Sequence, residues 1–272
     1  MNRKQIEKVI TGYYRKIKTH TKCFAVNPDA EAIHLLRVEY KKLRALLKAV
    51  AFRQQHAKKT GALKKLKKLY HIAGTVRELQ LQQQFIATAT KNSAKKTRAY
   101  LHLLQQEITR LKKIPAPLSA KKIIADSKDK ACKVLPAELS ISKFVAYFKH
   151  QKTIAEALIK AGNISDENIH TIRKILKDFY FTLKVYQKYE AAGAGVHVKK
   201  IENYYYGLLK EMGSFCDTSA AIALLKLHLA KQPGIPERQL LQQVKKNWSK
   251  EKRQLKKSLV KKLTEEDLPL PY

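Results

Sequence analysis

The stretch "IHLLRVEYKKLRALLKAV", residues 33–50, decides how this chain is read. At 100° per residue, His34, Arg37, Lys41, Arg44 and Lys48 fall on one stripe about 80° wide. Leu35, Leu36, Tyr40, Leu43, Leu46, Leu47 and Val50 take the opposite arc, with Glu39 at its rim. The period is helical, and one face is built to pack. A solvated helix face normally intersperses acidic residues four positions from its lysines. This stripe has none.

The pattern returns. "IHTIRKILKDFY" begins at Ile169, 136 residues after Ile33, half the length of the chain. Its stripe is His170, Arg173, Lys177, Tyr180 and Lys184, with tyrosine where the first unit has arginine. Ile172, Ile175, Leu176, Phe179 and Leu183 supply its apolar side. A second pair follows each stripe. "AGTVRE" carries Gly74 and Glu78, and "MGSFCD" carries Gly213 and Asp217. His34 precedes Gly74 by 40 residues and His170 precedes Gly213 by 43. Two matches in one order predict a duplicated helical unit, about 1–136 and 137–272, within a single domain.

Outward from these stripes the whole chain has helical periodicity and almost no β-type alternation. Helices are expected over 2–20, 28–53, 60–90, 92–113, 119–133, 140–161, 165–190, 197–214, 217–231 and 236–263. Asn27 is expected to cap the second helix, with Pro28 at its first position. Gly162 reads as a helix end, and Ser165 as a cap with acidic residues behind it. Prolines interrupt "KKIPAPLSA" and "KQPGIPER". The tail "DLPLPY" is expected to fray.

A second basic face lies in "ALKKLKKLYHIAGTVRE", where Lys64, Lys67, Lys68 and His71 share one side. Arg77 points toward the apolar side. It reads either as a ligand-facing cation or as half of an ion pair with a carboxylate such as Glu78. Tyr204, Tyr205 and Tyr206 read as packing residues with hydroxyls at a rim. The C-terminal "KKNWSKEKRQLKKSLVKKL" reads as a solvated helix that adds to the long-range field.

Charge narrows the function. The chain has 272 residues, 56 of them Lys or Arg and 22 Asp or Glu, for a formal net charge of +34. Residues 1–136 hold 32 basic and 8 acidic residues, and residues 137–272 hold 24 and 14, so both halves are basic. Such an imbalance causes self-repulsion and points to a polyanionic partner: nucleic acid, an anionic membrane or a phosphate polymer. Cys23, Cys132 and Cys216 show neither metal-ligand spacing nor a disulfide framework, which fits a reducing cytoplasm. No cofactor or metal is expected. No apolar run is long enough to span a membrane, and the first residues lack a signal-peptide core.

The duplicated His-x-x-Arg-x-x-x-Lys, each followed by Gly-x-x-x-(Asp/Glu), resembles the CHAD family, the conserved histidine α-helical domain. The resemblance covers nearly the whole chain. "HLLRVEYKKLR" and "GTVRE" fit closely, whereas the second unit has "DFYF" where the family usually shows a basic residue followed by tyrosine. The resemblance implies an all-α fold of two four-helix-type bundles, pseudo-symmetric about a central basic cavity. It implies non-catalytic binding of inorganic polyphosphate and association with polyphosphate granules. It marks His34, Arg37, Lys41, Arg44, His170, Arg173 and Lys177. The remaining candidates come from the stripes and their neighbours: Lys42, Lys48, Lys64, Lys68, Arg77, Lys174, Tyr180 and Lys184.

Two other functions compete. A nucleic-acid-binding protein would share the charge, but no zinc finger, RNA-recognition signature or convincing recognition helix is present. A polyphosphate-processing enzyme would need carboxylates for Mg²⁺ or an activated nucleophile. The acidic residues are few and scattered, and there is no P-loop.

Overall fold

The computed structural model describes residues 1–26, 30–52, 61–113, 117–162, 164–189 and 195–271. Among these residues the fold is all-α, with nine α-helices and no strand. They are α1 Arg3–Val26, α2 Ala30–Ala51, α3 Lys64–Ala89, α4 Arg98–Lys112, α5 Pro117–Lys133, α6 Ile141–Lys160, α7 Asp166–Tyr189, α8 Gly195–Leu229 and α9 Ile235–Glu265. No described helix is long and apolar enough to cross a membrane.

The two stripe-bearing helices pack against each other. α2 packs on α7, on α1 and on α3, while α7 also packs on α6 and α8. α9 lies along α8, α4 along α3 and α5 along α1. Most of the faces predicted to pack are buried: Leu36, Tyr40, Leu43, Leu46 and Val50 from α2 and Ile172, Leu176, Phe179 and Leu183 from α7, while Leu35, Leu47 and Ile175 are half-buried. An aromatic ladder ties the second unit together. Phe179 lies 4.7 Å from Phe148 and 4.6 Å from Tyr205, measured between ring centroids.

Local chemistry sets the helix starts. The Ser165 hydroxyl accepts from the Asn168 amide at 3.1 Å, and Asp166 and Glu167 occupy the positive first turn of α7. Gly162, at φ +90°, turns the chain before it in a conformation glycine adopts without penalty. Ser140 caps α6 in the same way. The expected cap Asn27 and Pro28 lie outside the described residues.

Three expectations are corrected. The break expected at 214–217 does not exist, and α8 runs unbroken for 35 residues. Gly213 lies inside α8, against an arginine, as shown below. The helix expected over 92–113 is split. Lys91–Thr97 forms a 3-10 segment with a non-helical Ser93 before α4 begins. There Thr90 bonds back to the Ile86 carbonyl at 2.8 Å, and polar side chains compete with the helical ladder. The tail is held down: Leu268 is buried, and Tyr205 donates to the Pro269 carbonyl at 2.9 Å. Of the three consecutive tyrosines, Tyr205 is core and Tyr206 is 61 % exposed.

Candidate functional site

Each stripe arginine is seated against a helical glycine. Arg37 leaves α2 and lies on α3 where Gly74 has no side chain; a Cβ there would collide with Arg37 Nη1. Arg173 leaves α7 and lies on α8 at Gly213, whose Cβ would stand 3.4 Å from Arg173 Nη2. Glycine inside a helix costs about 1 kcal/mol relative to alanine. At Gly74 the missing side chain admits the Arg37 guanidinium between α2 and α3, whereas at Gly213 a Cβ would only touch Arg173. Arg37 is further held over the Tyr70 ring, its Cζ 4.9 Å from the centroid, and Tyr70 stacks on Tyr40 at 4.3 Å.

These arginines face a cavity of about 730 Å³ bounded by α2, α3 and α7. From α2 come Arg37, Tyr40, Lys41 and Arg44. From α3 come Lys67, Tyr70, His71, Gly74, Thr75 and Glu78. From α7 come His170, Arg173, Lys174 and Lys177. Glu78 is the only carboxylate among the described lining residues. Arg37, Lys41, Arg173 and Lys177 form no ion pair among the described residues. The Nε of Arg173 is buried without a hydrogen-bond partner there.

The crowding shows in the titration of these groups. Burial, then the fields of Lys177, Arg37, Arg173 and Arg44, push the Lys41 ammonium well below the usual lysine range. Lys177 is pushed down to about 8 by burial and Arg173, with Asp217 opposing. His34 is lowered by burial and Arg77, and His170 by burial, Lys174 and Arg173. Both imidazoles therefore favour the neutral form more than a free histidine does.

Seven of the fifteen sequence candidates line this cavity: Arg37, Lys41, Arg44, His170, Arg173, Lys174 and Lys177. His34 is exposed at its edge, within the fields of Lys41 and Lys177. Arg77 is half-buried outside the cavity and forms no ion pair with Glu78 among the described residues. Lys64 and Lys68 are exposed and do not line it. Lys67 and His71 do, because the inward face of α3 runs through Lys67, His71, Gly74 and Glu78. Lys42 pairs with Glu39 at 2.6 Å and Lys184 with Glu202 at 3.1 Å, and both border a separate cleft. Tyr180 is buried beneath the Lys184 ammonium, 5.1 Å from its ring centroid.

Asp178 was not among the candidates, yet it organises the lower end of the first stripe. Its carboxylate is buried on α7 and accepts from Arg44 at 2.6 Å and Lys48 at 2.7 Å. The acid missing from the α2 stripe is thus supplied across the α2–α7 contact. Lys48 and half of Arg44 are accordingly spent on holding two helices together. The sequence signal was the aspartate in "KDFYF", followed by three aromatic residues, where a buried carboxylate needs cationic partners.

Comparison with curated proteins gives no match. The CHAD domain matches residues 8–226, from α1 through most of α8, and takes in both stripes and both arginine-seating glycines. The chain belongs to the CHAD domain family.

Proposed function

We propose that the protein binds inorganic polyphosphate, without catalysis, in the cavity between α2, α3 and α7. The observation that carries this reading is the group Arg37, Lys41, Arg173 and Lys177: four cations drawn together with no ion-paired carboxylate among the described residues. Folding such a group costs free energy, and a multiply charged anion relieves that cost. A phosphate chain has no bases to read, so it asks for density of donors. Arg37 and Arg173, fixed against their glycines, suit paired phosphate oxygens, and Lys41 and Lys177 act as point charges. The anion opposes the burial and crowding that lower the two lysines and favours the charged form of His34 and His170. Counterion release makes the affinity fall with salt.

This reading places the protein in the cytoplasm, at polyphosphate granules. The test is competition between long-chain polyphosphate and duplex DNA at matched charge and moderate salt. Polyphosphate displaces DNA on this account, and preference for DNA overturns it. The same samples with Mg²⁺ report turnover. Steady cleavage of the chain would replace binding with an enzyme.

A further inference from the structure

A second cleft, of about 490 Å³, lies between α1 and the C-terminal half of α7 and is unlike the first. Its floor is apolar and aromatic: Val9 and Tyr13 from α1, and Phe181, Val185 and Tyr189 from α7. Its rim is cationic. Lys8, Arg15, Lys16 and Lys188 stand there without an ion pair among the described residues. Lys42 and Lys184 complete the rim, but Glu39 and Glu202 already hold them. No carboxylate lines the cleft among the described residues.

Gly12 adds an independent mark. It sits in the interior of α1, where glycine weakens a helix relative to alanine. Unlike Gly74 and Gly213, it seats nothing: a Cβ at Gly12 would meet no atom within 4 Å. Gly12 lines the cleft floor, so any side chain there would occupy the cleft. Ile6, Ile10, Tyr14 and Ile17 form the buried face of α1. Val9, Gly12, Tyr13 and Lys16 are therefore a second face of the same helix.

We propose that this cleft binds a phosphorylated ligand with a flat apolar body, a nucleotide in the simplest case. The ring lies on Tyr13, Phe181 and Tyr189, and the phosphates reach Arg15, Lys16 and Lys188. A bare phosphate chain has no use for the aromatic floor, whereas an apolar pocket with a few charged groups is the usual form of a small-molecule site. The volume suits a molecule of nucleotide size. The inference does not depend on what fills the first cavity.

The test compares ATP with tripolyphosphate, similar in charge and differing in the nucleoside, by calorimetry on the full chain. Arg37→Ala/Arg173→Ala serves as background, so that the first cavity contributes little. ATP is expected to bind at least tenfold more tightly than tripolyphosphate. Gly12→Leu, which fills the floor, is expected to remove at least tenfold of the ATP affinity and to leave tripolyphosphate within twofold. Equal affinity for the two probes, or ATP binding indifferent to Gly12→Leu, overturns the proposal. If Gly12→Leu fails to fold by circular dichroism, Lys16→Ala/Lys188→Ala decides. A tenfold loss of ATP supports the site, and unchanged ATP affinity overturns it.

Discussion

The two arginine seats differ in tightness. Arg37 is pressed so closely on Gly74 that no side chain fits, and it stacks on Tyr70. Arg173 lies over Gly213 less tightly, where a Cβ would just reach van der Waals contact at 3.4 Å, and its Nε has no partner among the described residues. Charges lower on the stripes differ too. At one register the first unit has Lys42 and the second Asp178, and at another Arg44 faces Tyr180. The exchange lets the second unit donate one buried carboxylate to two cations of the first. Both helix pairs thus have an arginine lying against a glycine, while Asp178 on α7 anchors the α2–α7 contact.

The largest effect expected breaks that anchor. Asp178→Ala leaves Arg44 without its buried partner and should destabilise the fold by about 3–5 kcal/mol. By contrast, Glu202→Ala on α8 frees only Lys184 and Lys199, both more exposed than Arg44, and should cost under about 1 kcal/mol. Urea unfolding of the two variants measures both; equal losses would erase the asymmetry.

The glycines sharpen the comparison next. Gly74→Ala must move the end of the Arg37 side chain, because that flexible end is what the new Cβ meets. It should leave stability nearly unchanged while lowering polyphosphate affinity by about 1–3 kcal/mol, as loss of a charged contact does. Gly213→Ala has room, so it should gain up to about 1 kcal/mol of stability from helix propensity and keep its affinity within about threefold. Paired denaturation and titration curves check this, and a binding loss at Gly213 to match Gly74 would contradict it.

A smaller effect follows from pH. In the free protein Lys177 loses its proton near pH 8 and Lys41 sits well below the usual lysine range, while a bound polyanion holds both protonated. Affinity should therefore fall as pH rises from 7 to 9, by up to about tenfold per unit for each proton taken up. Lys41→Arg/Lys177→Arg should flatten that slope, since guanidinium stays charged. The smallest effect belongs to Lys64→Ala and Lys68→Ala, which lie outside the cavity and should change affinity by about twofold or less.

Much of this was legible in the sequence. The helix period and the echo at Ile169 located both stripes, and the shared Gly-x-x-x-acid located the helices that face them. What the glycines do was not legible. Gly74 and Gly213 were expected inside helices, over 60–90 and 197–214, but nothing in the sequence pairs them with Arg37 and Arg173, whose guanidinium groups lie against them. The roles of Lys42, Lys48 and Lys184 were hidden for a related reason. Angular position on one helix cannot tell a cation that faces a ligand from one that meets Asp178, Glu39 or Glu202. The choice of Lys67 and His71 over Lys64 and Lys68 depends on how α3 is rotated against α2, which packing sets and periodicity does not.

The most direct measurement is titration of long-chain polyphosphate into the wild type, Arg37→Ala/Arg173→Ala and Lys64→Ala/Lys68→Ala across a salt series. All three lose affinity with salt, since each still releases counterions. At fixed salt the arginine pair should bind more weakly by about 2–4 kcal/mol, while the lysine pair stays near the wild type. Equal weakening of the two double variants would mean that net charge, and not the arginines seated on Gly74 and Gly213, holds the chain.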